Sequence, residues 1–420
     1  MKKNVGVCVS IPRLDAVQQV AGKPCYGADV NMEGMLICKI KRSDRASAKI
    51  LRLDVSKAQA LPGVEAVVTH KDLANNIYGV NVFDQPYFAS DTVRQYSDAL
   101  AAVAAVDEKT ALKALELIEV DYKDLPIVTN PIEAMEPACY KVQGGESNII
   151  ENITITNGDV EKGFAESKYI FEQRITTPGV EHCSIEPHAA IAYIDSSTDE
   201  LVIRTSMQKP FEMATDISRM LGRPISSVRV FASAIGGGFG GKNEPSLEPS
   251  IALLTVKTGK PVKCEYTRED EFNCSTIRHP YIMHYKTGIA ENGKILAREV
   301  NIISDCGPYV SWGASTLHKA SIHACGPYDI PNTRVNGKLV YTNNPVGGAM
   351  RGFGVTQLGF AYEVHTTYCA EKINMDPVEF RRINIIHDGS QLPTGMIMNI
   401  VTVEDCLNKV IEMAKEGGDW

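Results

Sequence analysis

Residues Ile235 to Glu244 read I-G-G-G-F-G-G-K-N-E, and five of the six positions Gly236 to Gly241 are glycine. Glycine tolerates positive φ and lets backbone come close to a bound group, at an entropic cost that regular structure does not justify. A plain tight turn is the simplest reading. Two phosphate-binding readings compete with it. Gly236, Gly241 and Lys242 satisfy most of a G-x-x-x-x-G-K-[ST] loop, but Asn243 has no hydroxyl to place on Mg²⁺. Gly236, Gly238 and Gly241 spell G-x-G-x-x-G after the strand-like run Val228 to Ala232, with the acid Glu265 further on, as a Rossmann-type dinucleotide site asks. Against that stand Pro245 and Pro249, which interrupt the helix that should begin at once.

Further segments fall in a fixed order around this loop: Ile11 to Asp29 (I-P-R-L-D-A…G-K-P-C-Y-G-A-D), Ala99 to Pro126, Glu186 to Ala189 (E-P-H-A), Ser206 to Lys209 (S-M-Q-K) and Ala349 to Gln357 (A-M-R-G-F-G-V-T-Q). Together with G-G-G-F-G-G-K they resemble the xanthine dehydrogenase and aldehyde oxidase family of molybdenum hydroxylases over nearly the whole chain. The resemblance implies an α+β chain, with an α/β hammerhead domain over residues 1–135 and the first half of the molybdenum-cofactor-binding domain over 136–420.

The local pattern is mixed as well. Strand-like runs at Met35 to Lys41, Glu65 to Thr69, Leu100 to Val106 and Ile118 to Tyr122 alternate with helical ones at Val55 to Leu61 and Lys109 to Leu117. Thr129 to Ser147, with Pro131, Pro137, Gly144 and Gly145, reads as a linker. Beyond it, Tyr169 to Thr176, Ala189 to Asp195, Lys263 to Tyr266, Met283 to Ile289 and Ile295 to Ser304 read as strands, the last two joined by a turn at Asn292-Gly293. Helices are expected from Pro210 to Leu221, stopped by Gly222; from Val355 to Ile373; after the Asp376-Pro377 cap; and from Thr402 to before Gly417.

Composition narrows the function. At 420 residues and 44% hydrophobic, the chain can build two or more domains, each with its own core. A net charge of −8 without a basic run argues against nucleic acid, and no apolar stretch reaches membrane length, so a cytoplasmic location is expected. Lys2 and Lys3 precede only a short apolar run that Pro12 and Arg13 interrupt before a signal-peptide core is complete, so no such core is expected in this stretch. The eleven cysteines include no C-x-x-C and no ferredoxin spacing, so iron–sulfur clusters would belong to another chain.

By resemblance, Gly237, Gly238, Phe239 and Gly240 form the first cofactor loop, and Met350 and Arg351 the second, with Phe239 and Arg351 near the ligands of molybdenum. The amide of Gln208 is then the donor to an oxo ligand, a task for a neutral group that does not titrate. Phe353 corresponds to a ring stacking on a flat heteroaromatic substrate, while Asn243 and Lys319 replace the Glu and Arg with which purine-oxidising members hold their substrate. Loss of the carboxylate and of the bidentate fork disfavours purines. No Cys stands in Ala349 to Phe353, which disfavours a carbon monoxide dehydrogenase. His182, Glu186 and His188 have metal-like spacing and are read as structural.

The resemblance implies molybdenum on molybdopterin cytosine dinucleotide with a terminal sulfido or selenido ligand. It also implies a split enzyme: a second molybdopterin subunit carrying the catalytic Glu, an iron–sulfur (2Fe-2S) subunit and an FAD subunit that passes electrons to NAD(P). The expected reaction is hydroxylation of a nitrogen heteroaromatic, with nicotinate to 6-hydroxynicotinate as its first form. Purine or aldehyde oxidation, a Rossmann-type NAD-dependent oxidoreductase and a non-catalytic scaffold are the alternatives.

Overall fold

A computed structural model describes residues 10–417. In chain order the strands that position the site are β1 (Leu36–Arg42), β2 (Val64–Thr69), β3 (Ala99–Ala105), β4 (Ile149–Asn157), β5 (Tyr169–Thr177), β6 (Ala189–Ile194), β7 (Leu201–Thr205), β8 (Val228–Ala232), β9 (Val262–Glu265), β10 (Tyr281–Ile289), β11 (Ile295–Asp305) and β12 (Asn332–Val340). The main helices are α1 (Glu108–Glu116), α2 (Pro210–Leu221), α3 (Glu248–Thr258), α4 (Gly313–Ile322), α5 (Val355–Lys372), α6 (Pro377–Asn384) and α7 (Val403–Gly417).

Seven strands form one mixed sheet in the order β8-β7-β6-β9-β1-β3-β2. Its seam is the parallel pair β1 and β9, with Leu36 opposite Val262, so strands from both sides of the expected division at residue 135 share a single sheet. This corrects the expectation of separate cores. One apolar cluster joins Leu36, Cys38, Ala102 and Ala104 to Ile203, Met213, Ile217, Ile251 and Leu254 under α2 and α3. On the opposite face, Ala101, Val103 and Ala105 pack against Ala111 and Ala114 of α1. The run A-L-A-A-V-A-A is apolar throughout because both faces of β3 are covered, as in any doubly buried strand.

The second sheet, in the order β5-β10-β11-β12-β4, carries the other large core, where Met283, Val300 and Val335 meet Leu317, Leu358 and Phe380 of α4, α5 and α6. The turn between β10 and β11 closes on Gly293 at φ +89°, as Asn292-Gly293 predicts. Likewise Asp376 caps α6 by accepting from Val378 and Glu379 N–H, with Pro377 in the first turn, and Gly222 ends α2 in the left-handed region.

Five of these elements were not expected from the sequence: β4, β7, β12, α3 and α4. In α3, Pro249 lies in the first turn, where its missing N–H has no partner to lose. The expected linker is also packed rather than loose. Asn130 caps a short helix, Pro131–Ala134, and Asn148 donates to the carbonyls of Ala134 and Tyr140. Among the described residues, no helix is long and apolar enough to cross a membrane.

Candidate functional site

The site is built from three returns of the chain. Strand β7 ends at Thr205, and Ser206 to Lys209 then turn into α2, which presents Gln208. Strand β8 delivers the first glycine loop, and the stretch after β12 delivers Ala349 to Gly354 at the start of α5. The two Gly-Phe-Gly segments meet directly, since the Arg351 N–H donates to the Phe239 carbonyl at 2.9 Å. A Cβ on Gly240 would stand 2.4 Å from the Ala349 carbonyl oxygen, so only glycine permits this approach. Both phenylalanines occupy the left-handed region, Phe239 at φ +52° and Phe353 at φ +53°. That conformation is costly for a bulky residue and is a feature of sites whose surroundings enforce it.

Between the loops lies an open cleft of about 340 Å³, walled by Gln208, Phe239, Gly240, Asn243, Trp312 and the run Ala349 to Phe353. Of the residues that sequence reasoning placed at the site, the cleft therefore gathers Gln208, Phe239, Gly240, Asn243, Met350, Arg351 and Phe353. Gly237 and Gly238 stand behind it: an added Cβ on Gly238 would strike the Gln208 side chain at 2.5 Å, and one on Gly237 would press on Ser184 and the Phe239 ring. Lys319 is exposed and is not part of the wall; its Nζ lies 6.0 Å from the Phe353 ring centroid. A second cation, Lys209, stands 4.4 Å from the Trp312 ring.

Three exposed groups that line the cleft, on Gln208, Phe239 and Arg351, can donate to a bound group. Gln208 Oε1 accepts from the Gly240 N–H at 2.9 Å, which turns the amide nitrogen away from that bond. Among the described residues, neither this nitrogen nor the Phe239 N–H has a hydrogen-bond acceptor. The Arg351 guanidinium likewise has no ion-pair partner among them. A cofactor with oxo groups and anionic substituents fits this donor set; a cation would not.

Behind the cleft the supports are buried. His182 sits between the loops, with its Nε2 2.7 Å from the Ala349 carbonyl oxygen and its ring where a side chain on Gly241 would be. Burial lowers its pKa. His188 pairs with Glu271 and Glu186 with Lys242. The three residues with metal-like spacing thus turn to different partners, and no cluster of His, Cys, Asp or Glu able to hold a metal occurs among the described residues. The dinucleotide-loop alternative also fails on geometry: Lys242 to Leu247 separate the glycines from α3, the helix that should follow them at once.

One residue of the cleft wall and one buried behind it escaped sequence reasoning. Trp312 meets Phe353 edge-on, with ring centroids 5.7 Å apart, and belongs to no motif that would single it out. Glu244, next to Asn243, turns inward; its Oε1 accepts from Ser311 at 2.6 Å and its Oε2 has no partner among the described residues. Burial pushes this carboxyl up to about 7. The glycines before it carry no sign of a buried acid, which only the fold reveals.

Comparison with known proteins agrees with this geometry. Residues 142–385 match the molybdopterin cofactor-binding domain, and residues 21–126 match the aldehyde oxidase and xanthine dehydrogenase a/b hammerhead domain. The chain belongs to the xanthine dehydrogenase and aldehyde oxidase family of molybdenum-dependent oxidoreductases. It is 36% identical over 406 residues to the nicotinate dehydrogenase large molybdopterin subunit of Eubacterium barkeri, covering 96% of this chain and 95% of that one. It is 38% identical over 374 residues to a probable xanthine dehydrogenase chain of Bacillus subtilis, covering 89% of this chain and 50% of that protein. The solved aldehyde oxidoreductase from Desulfovibrio gigas superposes with a TM-score of 0.91 at 30% identity, over 96% of this chain and 46% of that chain. The chain thus spans about half of the last two relatives and nearly all of the first.

Proposed function

We propose that this chain is the molybdopterin-binding subunit of a heteromeric hydroxylase that oxidises a nitrogen heteroaromatic, with nicotinate to 6-hydroxynicotinate as the favoured reaction. The observation that carries the reading is the convergence of Gln208, Phe239 and Phe353 on one cleft whose donors have no acceptor among the described residues. The similarity to a relative named as a large molybdopterin subunit supports partner chains: a second molybdopterin subunit, an iron–sulfur subunit and an FAD subunit.

Gln208, Phe239, Gly240, Met350 and Arg351 would hold the cofactor, in its cytosine dinucleotide form. When bound, a pterin-held molybdenum with a terminal sulfido or selenido ligand supplies water activation and a two-electron acceptor. The protein's own contribution is placement. The Gln208 amide and the Phe239 N–H donate from fixed positions, which costs no reorganisation when charge develops. Phe353 on the cleft wall, with Trp312 set edge-on against it, offers aromatic surface to a planar ring. Among the described residues, no carboxylate in the cleft wall is placed to accept the proton lost in hydroxylation, since Glu244 turns inward; in this reading a glutamate of the partner subunit takes it.

Asn243 on the cleft wall, in place of a carboxylate, favours a substrate other than a purine. Lys319 beside Phe353, with Lys209 on the Trp312 side, supplies positive charge for a substrate carboxylate. The experiment is to purify the native complex and compare turnover of nicotinate, xanthine and aldehydes alongside metal analysis. Preference for nicotinate with stoichiometric molybdenum supports the reading. Preference for xanthine or an aldehyde moves the chain to another branch of the family, and absence of molybdenum makes it a scaffold.

A further inference from the structure

We propose that Glu186 is the positioning residue of the first glycine loop: one carboxylate holds both ends of the loop and thereby fixes Gln208 in the cleft. Its Oε2 accepts from the Gly236 N–H at 2.7 Å, where the loop begins, and from Lys242 Nζ at 3.0 Å, where it ends. The Glu186 N–H in turn donates to the Gly236 carbonyl at 3.1 Å. Its Oε1 accepts from the Gly27 N–H at 3.2 Å, which ties the segment Tyr26-Gly27-Ala28-Asp29 to the same carboxylate. The side chains of Glu186 and Lys242 are only 9% and 2% exposed.

This pair is built for shape. A buried ion pair is by itself weak support for stability, because desolvation offsets most of the attraction. Here, however, the carboxylate accepts from three donors, at Gly27 and at the two ends of the loop. Gly236 is required for the approach, since a Cβ there would lie 2.5 Å from the Glu186 Cβ. The consequence reaches the cleft in two steps. The Lys242 carbonyl accepts from the Gln208 N–H at 2.8 Å, and Gln208 Oε1 accepts from the Gly240 N–H at 2.9 Å. Glu186 therefore sets Lys242, Lys242 sets the backbone of Gln208, and Gln208 sets the glycine beside Phe239. Glu186 does not itself line the cleft.

The effect on turnover rests on the function proposed above; the effect on loop shape does not. The test uses the native complex carrying Glu186→Gln, Glu186→Asp, and the double variant Glu186→Gln with Lys242→Met. In Glu186→Gln, amide exchange across residues 236–242 should rise about tenfold or more while the strands beside the loop keep their protection. Turnover should fall about 100-fold, the cost of misplacing a site by roughly an ångström, with KM nearly unchanged. Glu186→Asp should recover part of both losses. The double variant removes the uncompensated buried charge, so its melting temperature should return toward wild type while exchange stays fast and turnover low.

Two results overturn the proposal: unchanged exchange at 236–242 in Glu186→Gln, or a double variant that regains turnover together with stability, which would make the pair a matter of charge burial alone. Should the complex prove to oxidise no heteroaromatic at all, the exchange measurement still decides the structural claim.

Discussion

The two Gly-Phe-Gly segments hold the same left-handed phenylalanine by different means. The first, between β8 and α3, is tied at both ends to a buried carboxylate. The second runs straight into α5, with Gly354 as the residue before the helix, and leans on Arg278, which donates to the Arg351 carbonyl at 2.8 Å and to the Thr356 hydroxyl. A loop that continues as an eighteen-residue helix inherits its direction from regular structure. A loop with proline-bearing irregular chain on its far side has no such guide, and side chains from elsewhere in the fold must supply the constraint. Repetition of a short sequence therefore marks where the site is, while the support differs because the neighbours differ.

The substitutions that test this contrast begin with the point of contact. Gly240→Ala places a methyl group against the Ala349 carbonyl at a backbone φ of +106° and should part the loops, with turnover reduced more than about 100-fold and molybdenum lost from the purified complex. Gln208→Ala removes a fixed donor together with the acceptor of the Gly240 N–H but keeps the Arg351 to Phe239 backbone bond between the loops; turnover should drop about 100-fold at unchanged molybdenum content. Arg278→Met, which loosens only the second loop, should cost about tenfold in turnover, because α5 still directs that loop. An effect as large as that of Gly240→Ala would erase the distinction between the two supports.

Smaller effects are expected at the rim and behind the loop. Lys319→Met should raise KM for nicotinate only a few-fold, since the ammonium is exposed and beside the cleft wall rather than in it. An unchanged KM would transfer the carboxylate-pairing role to Lys209. For Glu244, the folded protein keeps the carboxyl protonated up to about 7, whereas the ordinary value is 4.5. Between these values the folded state holds a proton that the unfolded chain has released, so stability falls as pH rises through the window and levels off above it. Glu244→Gln should flatten that decline in melting temperature; a wild-type slope in the variant would place the titration elsewhere, for instance at Asp84 or Asp216, whose carboxyls burial also raises.

What could be read in advance follows from how local each signal is. Helices with their own caps were legible: α2 with Gly222 and α6 with Asp376 and Pro377. The turn at Asn292-Gly293 and the all-apolar run of β3 were legible too. So was the clustering of Gln208, Phe239 and Phe353, because three motifs in a fixed order carry it. The strands β4 and β12 were not, since no residue of I-I-E-N-I-T-I-T-N is fully buried and the buried positions of N-T-R-V-N-G-K-L-V include Thr333 and Gly337. Helix α3 was hidden by Pro249, which disrupts a helix interior but not its first turn. The joining of β1 to β9 depends on residues more than two hundred positions apart and so belongs to no local pattern. The pairing of Glu186 with Lys242 and the inward turn of Glu244 are of the same kind: each needs the fold before the partner is visible.

The claim on which the functional reading depends is that both loops close on one molybdenum site. Diffraction from crystals of the native complex, collected on either side of the molybdenum absorption edge, tests it most directly. The expected result is a single anomalous peak in the cleft next to Gln208 and the Phe239 N–H. A peak away from both loops, or a cleft filled by a nicotinamide dinucleotide with no molybdenum signal, would contradict it.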